Sequence, residues 1–74
     1  MLEWAWSDIP FGEVSGTQIH GLAICRYAGA ADVCRFSCDA HWQTQQDETY
    51  ESVNEAKNAL PHQYRNSEAV WHAA

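Results

Sequence analysis

Two stretches of this chain carry strand-like patterns of hydrophobic and polar residues. From Thr17 to Tyr27 the run TQIHGLAICRY is rich in Ile, Leu and Tyr, and from Val33 to Ser37 VCRFS changes character residue by residue. Both predict strands. Between them AGAAD offers a glycine for a positive-φ position, so the two strands are expected to form an antiparallel hairpin. The parity of the loop then sets the register. An odd loop places Leu22 and Ile24 on one face with Cys34, Phe36 and Cys38, and leaves Tyr27, Arg35, Ser37 and Asp39 on the other. An even loop mixes the two sets. Because burying one face specifies register strongly, the odd loop is preferred.

The flanking segments are more irregular. Leu2, Trp4 and Trp6 share one face of a short extended piece at the N-terminus, a possible edge strand, and SDIPFGEVSG after it, with Pro10, Gly12 and Gly16, reads as a turn-rich connection. After Asp39, DAH makes a tight turn and WQTQQD returns as a third strand, polar enough for a sheet edge. In YESVNEAKNALP, Ser52 caps a helix, Glu55 completes a capping box, Val53, Ala56 and Leu60 recur at helical spacing, and Pro61 blocks continuation. NSEAVWHAA repeats the cap logic at Asn66 or Ser67 and predicts a second short helix carrying Val70 and Trp71. The expected fold is a single α+β domain over residues 1–74. A sheet of two to three antiparallel strands packs against one main C-terminal helix, with room for a second short one.

Composition narrows the function. The chain has 74 residues, and a chain of this size buries only about 60% of its unfolded surface, so its core is small. With 46% hydrophobic residues and four tryptophans it is too rich in core-forming side chains to remain disordered. A net charge of −6 argues against direct nucleic-acid binding, since phosphates are repelled. The N-terminus has no basic region and no continuous apolar run, and nowhere does the chain approach the roughly 18 apolar residues of a membrane span. Three cysteines are an odd number for a disulfide framework, so a cytoplasmic protein with reduced thiols is expected.

The run VCRFSCDAHW raises the question of a metal. On one strand Cys34 and Cys38 share a face but lie about 13 Å apart at roughly 3.3 Å per residue. Two sulfurs on one zinc must approach within about 4 Å of each other, so these two cannot share the ion, and they are expected as small buried hydrophobes. A Cys25–Cys34 disulfide would need the even-loop register, which sets them directly opposite. His20, His41, His62 and His72 are scattered, with no i, i+4 pair. No nucleophile elbow or glycine-rich phosphate loop is present, and Asp47 and Glu48 are read as solvated charge on the approach to the helix. No cofactor and no enzymatic activity are expected.

What remains is surface. Trp4, Trp6, Trp42 and Trp71 are more rings than so small a core can fully bury, and partly exposed tryptophan beside acids makes a protein-binding patch. Asp39, Asp47, Glu48, Glu51 and Glu55 precede the next basic residue, Lys57. The plain reading of these acids is a solubilised face that also favours the helix N-terminus.

Residues 34–64 carry CRFSC, then a tryptophan, then DETYES and EAK. This order resembles short bacterial proteins of the orphan or mobile-element type, in which an R-F-S-C-D strand precedes a D-x-x-Y-x-S segment and an E-A-K helix. The resemblance implies a fold and carries no activity or site residue with it. Two functions are expected from the residues. The first is a non-enzymatic interaction module, an adaptor or inhibitor, that binds a protein partner or itself through Trp4, Trp6, Trp42, Asp47, Glu48 and Glu51. The alternative is a thiol- or metal-responsive protein using Cys25, Cys34, Cys38 and His41. For the first, the N-terminal strand pairs within its own chain or crosses to a second copy, and the dimer is preferred because it adds core to a short chain.

Overall fold

The computed structural model describes residues 1–59, 64 and 69–74. Its strands are β1 (Glu3–Trp6), β2 (Gly12–Val14), β3 (Thr17–Ile19), β4 (Gly21–Cys25), β5 (Val33–Cys38), β6 (Thr44–Tyr50) and β7 (His72–Ala73), and its helix is α1 (Val53–Asn58). Strands hold 45% of the described residues and the helix 9%, so the chain is mostly β and the α+β expectation is corrected. The main sheet has five antiparallel strands in the order β6-β5-β4-β1-β7, and β2 and β3 make a separate two-stranded sheet.

Three segments differ from the local reading, two because they pair with distant strands and one because it holds a short local hairpin. The N-terminal piece is no edge: β1 lies between β4 and β7 and pairs inside its own chain. The connection after it contains a hairpin, β2 to β3, closed by Ser15 (φ 51°) and Gly16 (φ 82°), the double positive φ that a two-residue turn requires. Where a second helix is expected, Asn66 and Ser67 lie outside the described residues, Val70 and Trp71 are not helical, and His72–Ala73 add β7 to β1. The third strand does lie at the sheet edge, as its polarity predicts, and it runs on to Tyr50.

The register of β4 against β5 is also the opposite of the preferred one. Leu22 pairs with Ser37, Ile24 with Arg35 and Cys25 with Cys34, so Arg35 and Ser37 share the inner face with the aliphatic residues. Burial confirms it: Leu22, Ile24 and Val33 are fully buried, and Arg35 and Ser37 are 1% exposed. Polar residues can occupy that face because each finds a partner there. Arg35 Nη1 donates to the carbonyls of Ala56 and Ala59 at 3.0 Å, and Ser37 Oγ accepts from the Tyr64 hydroxyl at 2.9 Å. The odd-loop preference rested on treating these side chains as solvent-facing. A buried polar group is stable where its hydrogen bonds are made.

Over this inner face lie α1, the β2–β3 hairpin and the C-terminal segment. Ala5, Phe11, Ile19, Leu22 and Tyr64 form one apolar cluster, and Ile24, Val33 and Ala56 a second, with Trp71 packed against both. Helix α1 begins as the cap pattern predicts, with the Glu55 amide donating to Ser52 Oγ at 3.1 Å. Leu60, expected on the helix, and Pro61, expected to stop it, lie outside the described residues. Lys57 ties α1 to β1 through Glu3 at 2.6 Å. Replacing Ser52 by Ala removes an acceptor for an orphan amide and is expected to cost about 1 kcal/mol. The melting temperature should fall by roughly 4 to 8 °C, and an unchanged melting curve would show that the cap contributes nothing.

Candidate functional site

The opposite face of the main sheet carries a continuous series of aromatic rings. Trp4 and Trp6 alternate with Glu3 and Ala5 along β1, so both indoles point away from the core that buries Ala5. Their cross-strand partners are small: Trp4 faces Ala23 and Trp6 faces Gly21. That leaves room for a third indole, Trp42, which reaches over from the turn between β5 and β6. A Cβ on Gly21 would stand 2.7 Å from the Trp42 ring, so the glycine makes the seat for the indole. Trp42 lies 5.6 Å from Trp6, tilted, and 6.4 Å from Trp4, edge to face. A histidine stacks at each end, His72 on Trp4 at 4.5 Å and His20 on Trp6 at 5.5 Å. Five rings therefore run in the order His72, Trp4, Trp42, Trp6, His20, at separations typical of attractive aromatic pairs.

Polar anchors fix the rings. Trp6 Nε1 donates to Asp8 Oδ1 at 3.0 Å, and His20 Nδ1 lies 2.8 Å from the Ser7 carbonyl, which makes Nδ1 the protonated nitrogen. Trp42 holds a left-handed backbone, φ 62°, a costly conformation for a bulky residue. Asp39 supports it. Its carboxylate accepts from the amides of His41 at 2.8 Å and Gln43 at 3.0 Å and from Gln45 Nε2 at 3.1 Å, while the Asp39 carbonyl accepts from the Trp42 amide. The rings stay partly open to solvent. Trp6 is 37% exposed and Trp42 43%, Trp4 is half-buried, and Cys38 and Ala23 are buried beneath them.

These hydrogen bonds, the Gln43 amide foremost, hold the Asp39 carboxyl below the usual carboxylate range. A carboxyl whose folded value is lowered contributes stability that is present above its unfolded value, about 3.9, and lost as pH falls through the folded value. The turn should therefore loosen in acid, below about pH 3.9, and release Trp42 to water. Tryptophan emission should shift to the red over that range. Asp39→Ala should show the shifted emission already at neutral pH and lack the acid step, and an identical titration in the variant would remove Asp39 from the role.

Of the six residues expected to bind, Trp4, Trp6 and Trp42 are brought together. Asp47 shares their face but sits on β6, three strands from Trp4, about 14 Å away at roughly 4.8 Å per strand. Glu48 is on the inner side of β6, where its Oε2 lies 3.9 Å from Arg35 Nη2 and accepts from the Tyr50 hydroxyl at 2.6 Å. Glu51 is exposed beyond the end of β6. The thiol and metal set is not assembled either. Cys25 pairs with Cys34, Cys38 pairs with Gly21 at the other end of β5, and His41 is exposed in the turn. Among the described residues no three His, Cys, Asp or Glu side chains gather as metal ligands. His20, His72 and Gly21 were not foreseen in the ring face, because what places them there is pairing with β1, which no local pattern reports.

No protein-family model matches the chain, and neither does any curated protein or solved structure. Among the described residues no helix is long and apolar enough to cross a membrane.

Proposed function

We propose that this chain is a non-enzymatic interaction module that docks a protein partner on its five-ring face. The observation that carries the reading is the assembly of Trp4, Trp6 and Trp42, from two separate segments, into one contiguous and partly exposed surface on the sheet face opposite the core. Clustered tryptophans of this kind supply the desolvated anchors of interfaces. The charge of the chain defines the rim of the partner. The acids beside the rings are Asp8, exposed and accepting from Trp6 Nε1, and Asp39, which holds the turn that carries Trp42. The fitting partner presents an apolar anchor bordered by basic residues, and that charge pattern speeds encounter and sets orientation. A second copy of this chain, equally acidic, fits the rim less well. The pairing of β1 with β4 and β7 of its own chain supports a partner other than a second copy.

The test compares wild type with Trp6→Ala/Trp42→Ala. Proteins captured from host extract by the wild type and lost with the variant are purified and titrated calorimetrically. Loss of two anchor residues should weaken binding by at least about 30-fold, 2 kcal/mol or more. Gly21→Ala, which displaces the Trp42 ring without removing it, should weaken it less. Sedimentation equilibrium of the wild type reports self-association. A monomer whose captured proteins bind the double variant equally well would overturn the reading, and a dimer that the double variant dissolves would replace the partner with a second copy.

A further inference from the structure

We infer that Cys25 and Cys34 form a redox modification site that closes to a cross-strand disulfide when the chain meets a small-molecule disulfide such as glutathione disulfide. The two residues are direct partners on neighbouring antiparallel strands, and both are half-buried free thiols. Directly opposite residues in such a ladder have Cα atoms about 4.5 to 5.5 Å apart, inside the roughly 4.4 to 6.8 Å range of disulfides. Their Cβ atoms, about 4.5 to 5.5 Å apart, are slightly farther than the roughly 3.5 to 4.5 Å a relaxed bridge needs. Closure therefore requires only a small approach of β4 and β5, and the resulting bond is strained enough to be readily reduced.

Directly opposite residues of a ladder also project to the same face, so no strand has to turn over. The Thr49 hydroxyl lies 3.9 Å from the Cys34 sulfur. The third cysteine is set apart in position and chemistry. Cys38 is 3% exposed, burial pushes its thiol up, and it sits four residues along β5 from Cys34, about 13 Å at roughly 3.3 Å per residue. Thiol exchange needs thiolate and access, which Cys38 lacks.

The exchange proceeds in two steps. One thiolate of the pair attacks a sulfur of glutathione disulfide, forming a mixed disulfide and releasing one glutathione thiolate. The second thiolate then attacks the cysteine sulfur of that mixed disulfide, forming the Cys25–Cys34 bond as the bond to glutathione breaks. Two electrons pass from the cysteine pair to glutathione disulfide, and the two cysteine protons finish on two glutathione molecules. The bond would pin β4 to β5 beside the 26–32 loop, at the opposite end of these strands from Gly21 and Trp42. It stands independently of the docking role of the rings.

Arg26 and Arg35 make the pairing readable, because trypsin places Cys25 in peptide 1–26, Cys34 in 27–35 and Cys38 in 36–57. Full-length protein is equilibrated in a glutathione redox buffer, alkylated, denatured, digested and analysed by mass. The expected product is peptide 1–26 linked to 27–35 with the loss of two hydrogens, Cys38 alkylated, and full reversal by dithiothreitol. Cys38→Ala should leave the link intact. Cys25→Ser should stop the reaction at a glutathione adduct on Cys34, and Cys34→Ser at the corresponding adduct on Cys25. Separate glutathione adducts on both cysteines of the wild type, a link to peptide 36–57, or thiols that stay free would each overturn the proposal.

Discussion

Arg35→Ala is expected to lower stability by about 3 to 5 kcal/mol, enough to leave a domain of this size largely unfolded. Arg35 is the largest fully buried side chain among the described residues, and its guanidinium holds three elements together. Nη1 donates to Ala56 O and Ala59 O, the C-terminal carbonyls that a helix leaves without internal partners. The guanidinium carbon lies 5.0 Å from the centre of the Tyr50 ring on β6, and burial, with the Glu48 hydrogen bond, keeps the Tyr50 hydroxyl protonated as a donor. Removing the side chain strands the buried Ala56 carbonyl, at about 1 to 3 kcal/mol, leaves the Ala59 carbonyl with only the Tyr50 hydroxyl at 3.3 Å, and opens a cavity between β5 and α1.

Two further substitutions separate the parts of this effect. Arg35→Lys keeps the charge but replaces a planar fork with a single ammonium that cannot reproduce both carbonyl contacts and the ring stacking, so an intermediate loss is expected. Arg35→Met keeps most of the volume and none of the donors. Guanidinium denaturation curves measure all three, and an Arg35→Met protein as stable as wild type would show that packing alone matters. The ion pair with Glu48 has little part in it: at 3.9 Å, with Glu48 44% exposed, it resembles surface pairs of about 0 to 1 kcal/mol. Glu48→Gln should leave the midpoint nearly unchanged.

Gly12→Ala should be the second most damaging change, at about 1 to 3 kcal/mol or more. A Cβ at Gly12 would lie 2.5 Å from Tyr64 Cδ1 and 2.9 Å from its Cα. Neither atom can give way. The Tyr64 ring is packed among Ala5, Phe11, Ile19 and Leu22, its hydroxyl is tied to Ser37, and the Cα belongs to the backbone. The substitution would thus lift the β2–β3 hairpin off the cluster. Gly21 offers the contrast, since its Cβ would come as near to a ring, 2.7 Å from Trp42, but that ring is 43% exposed and can swing outward. Thermal melts should show Gly12→Ala shifted well below wild type and Gly21→Ala close to it, with the tryptophan emission of Gly21→Ala moved to the red. Equal melting shifts would mean that the Trp42 seat is part of the core and not a displaceable surface.

Much of the local structure could be read from residue order alone. Period-two alternation located β5, the Ile- and Leu-rich run 17–27 marked strand, which the fold divides into β3 and β4 of two sheets, the polar run after Trp42 marked an edge strand, and Ser52 with Glu55 marked the start of α1. The same alternation placed Trp4 and Trp6 on a common face. These are near-neighbour properties, set by backbone geometry, caps and side-chain period, and they need no knowledge of what the chain packs against.

The fold class, the register and the completed ring face were decided elsewhere. β1 is a strand because it pairs with β4, and β7 because it pairs with β1, a contact between the two ends of the chain. Arg35 and Ser37 look like solvent-facing residues in VCRFS and are core residues in the fold, since their hydrogen-bond partners, Ala56, Ala59 and Tyr64, come from segments 21 to 27 positions later. With those partners supplied, the even register can bury both side chains, although Arg35 Nε finds no hydrogen-bond partner among the described residues, and it brings Cys25 opposite Cys34. Trp42 joins Trp4 and Trp6 only because Gly21, their strand neighbour, leaves it a seat. Whether a polar side chain may be buried depends on which partners reach it, and only the tertiary structure determines that.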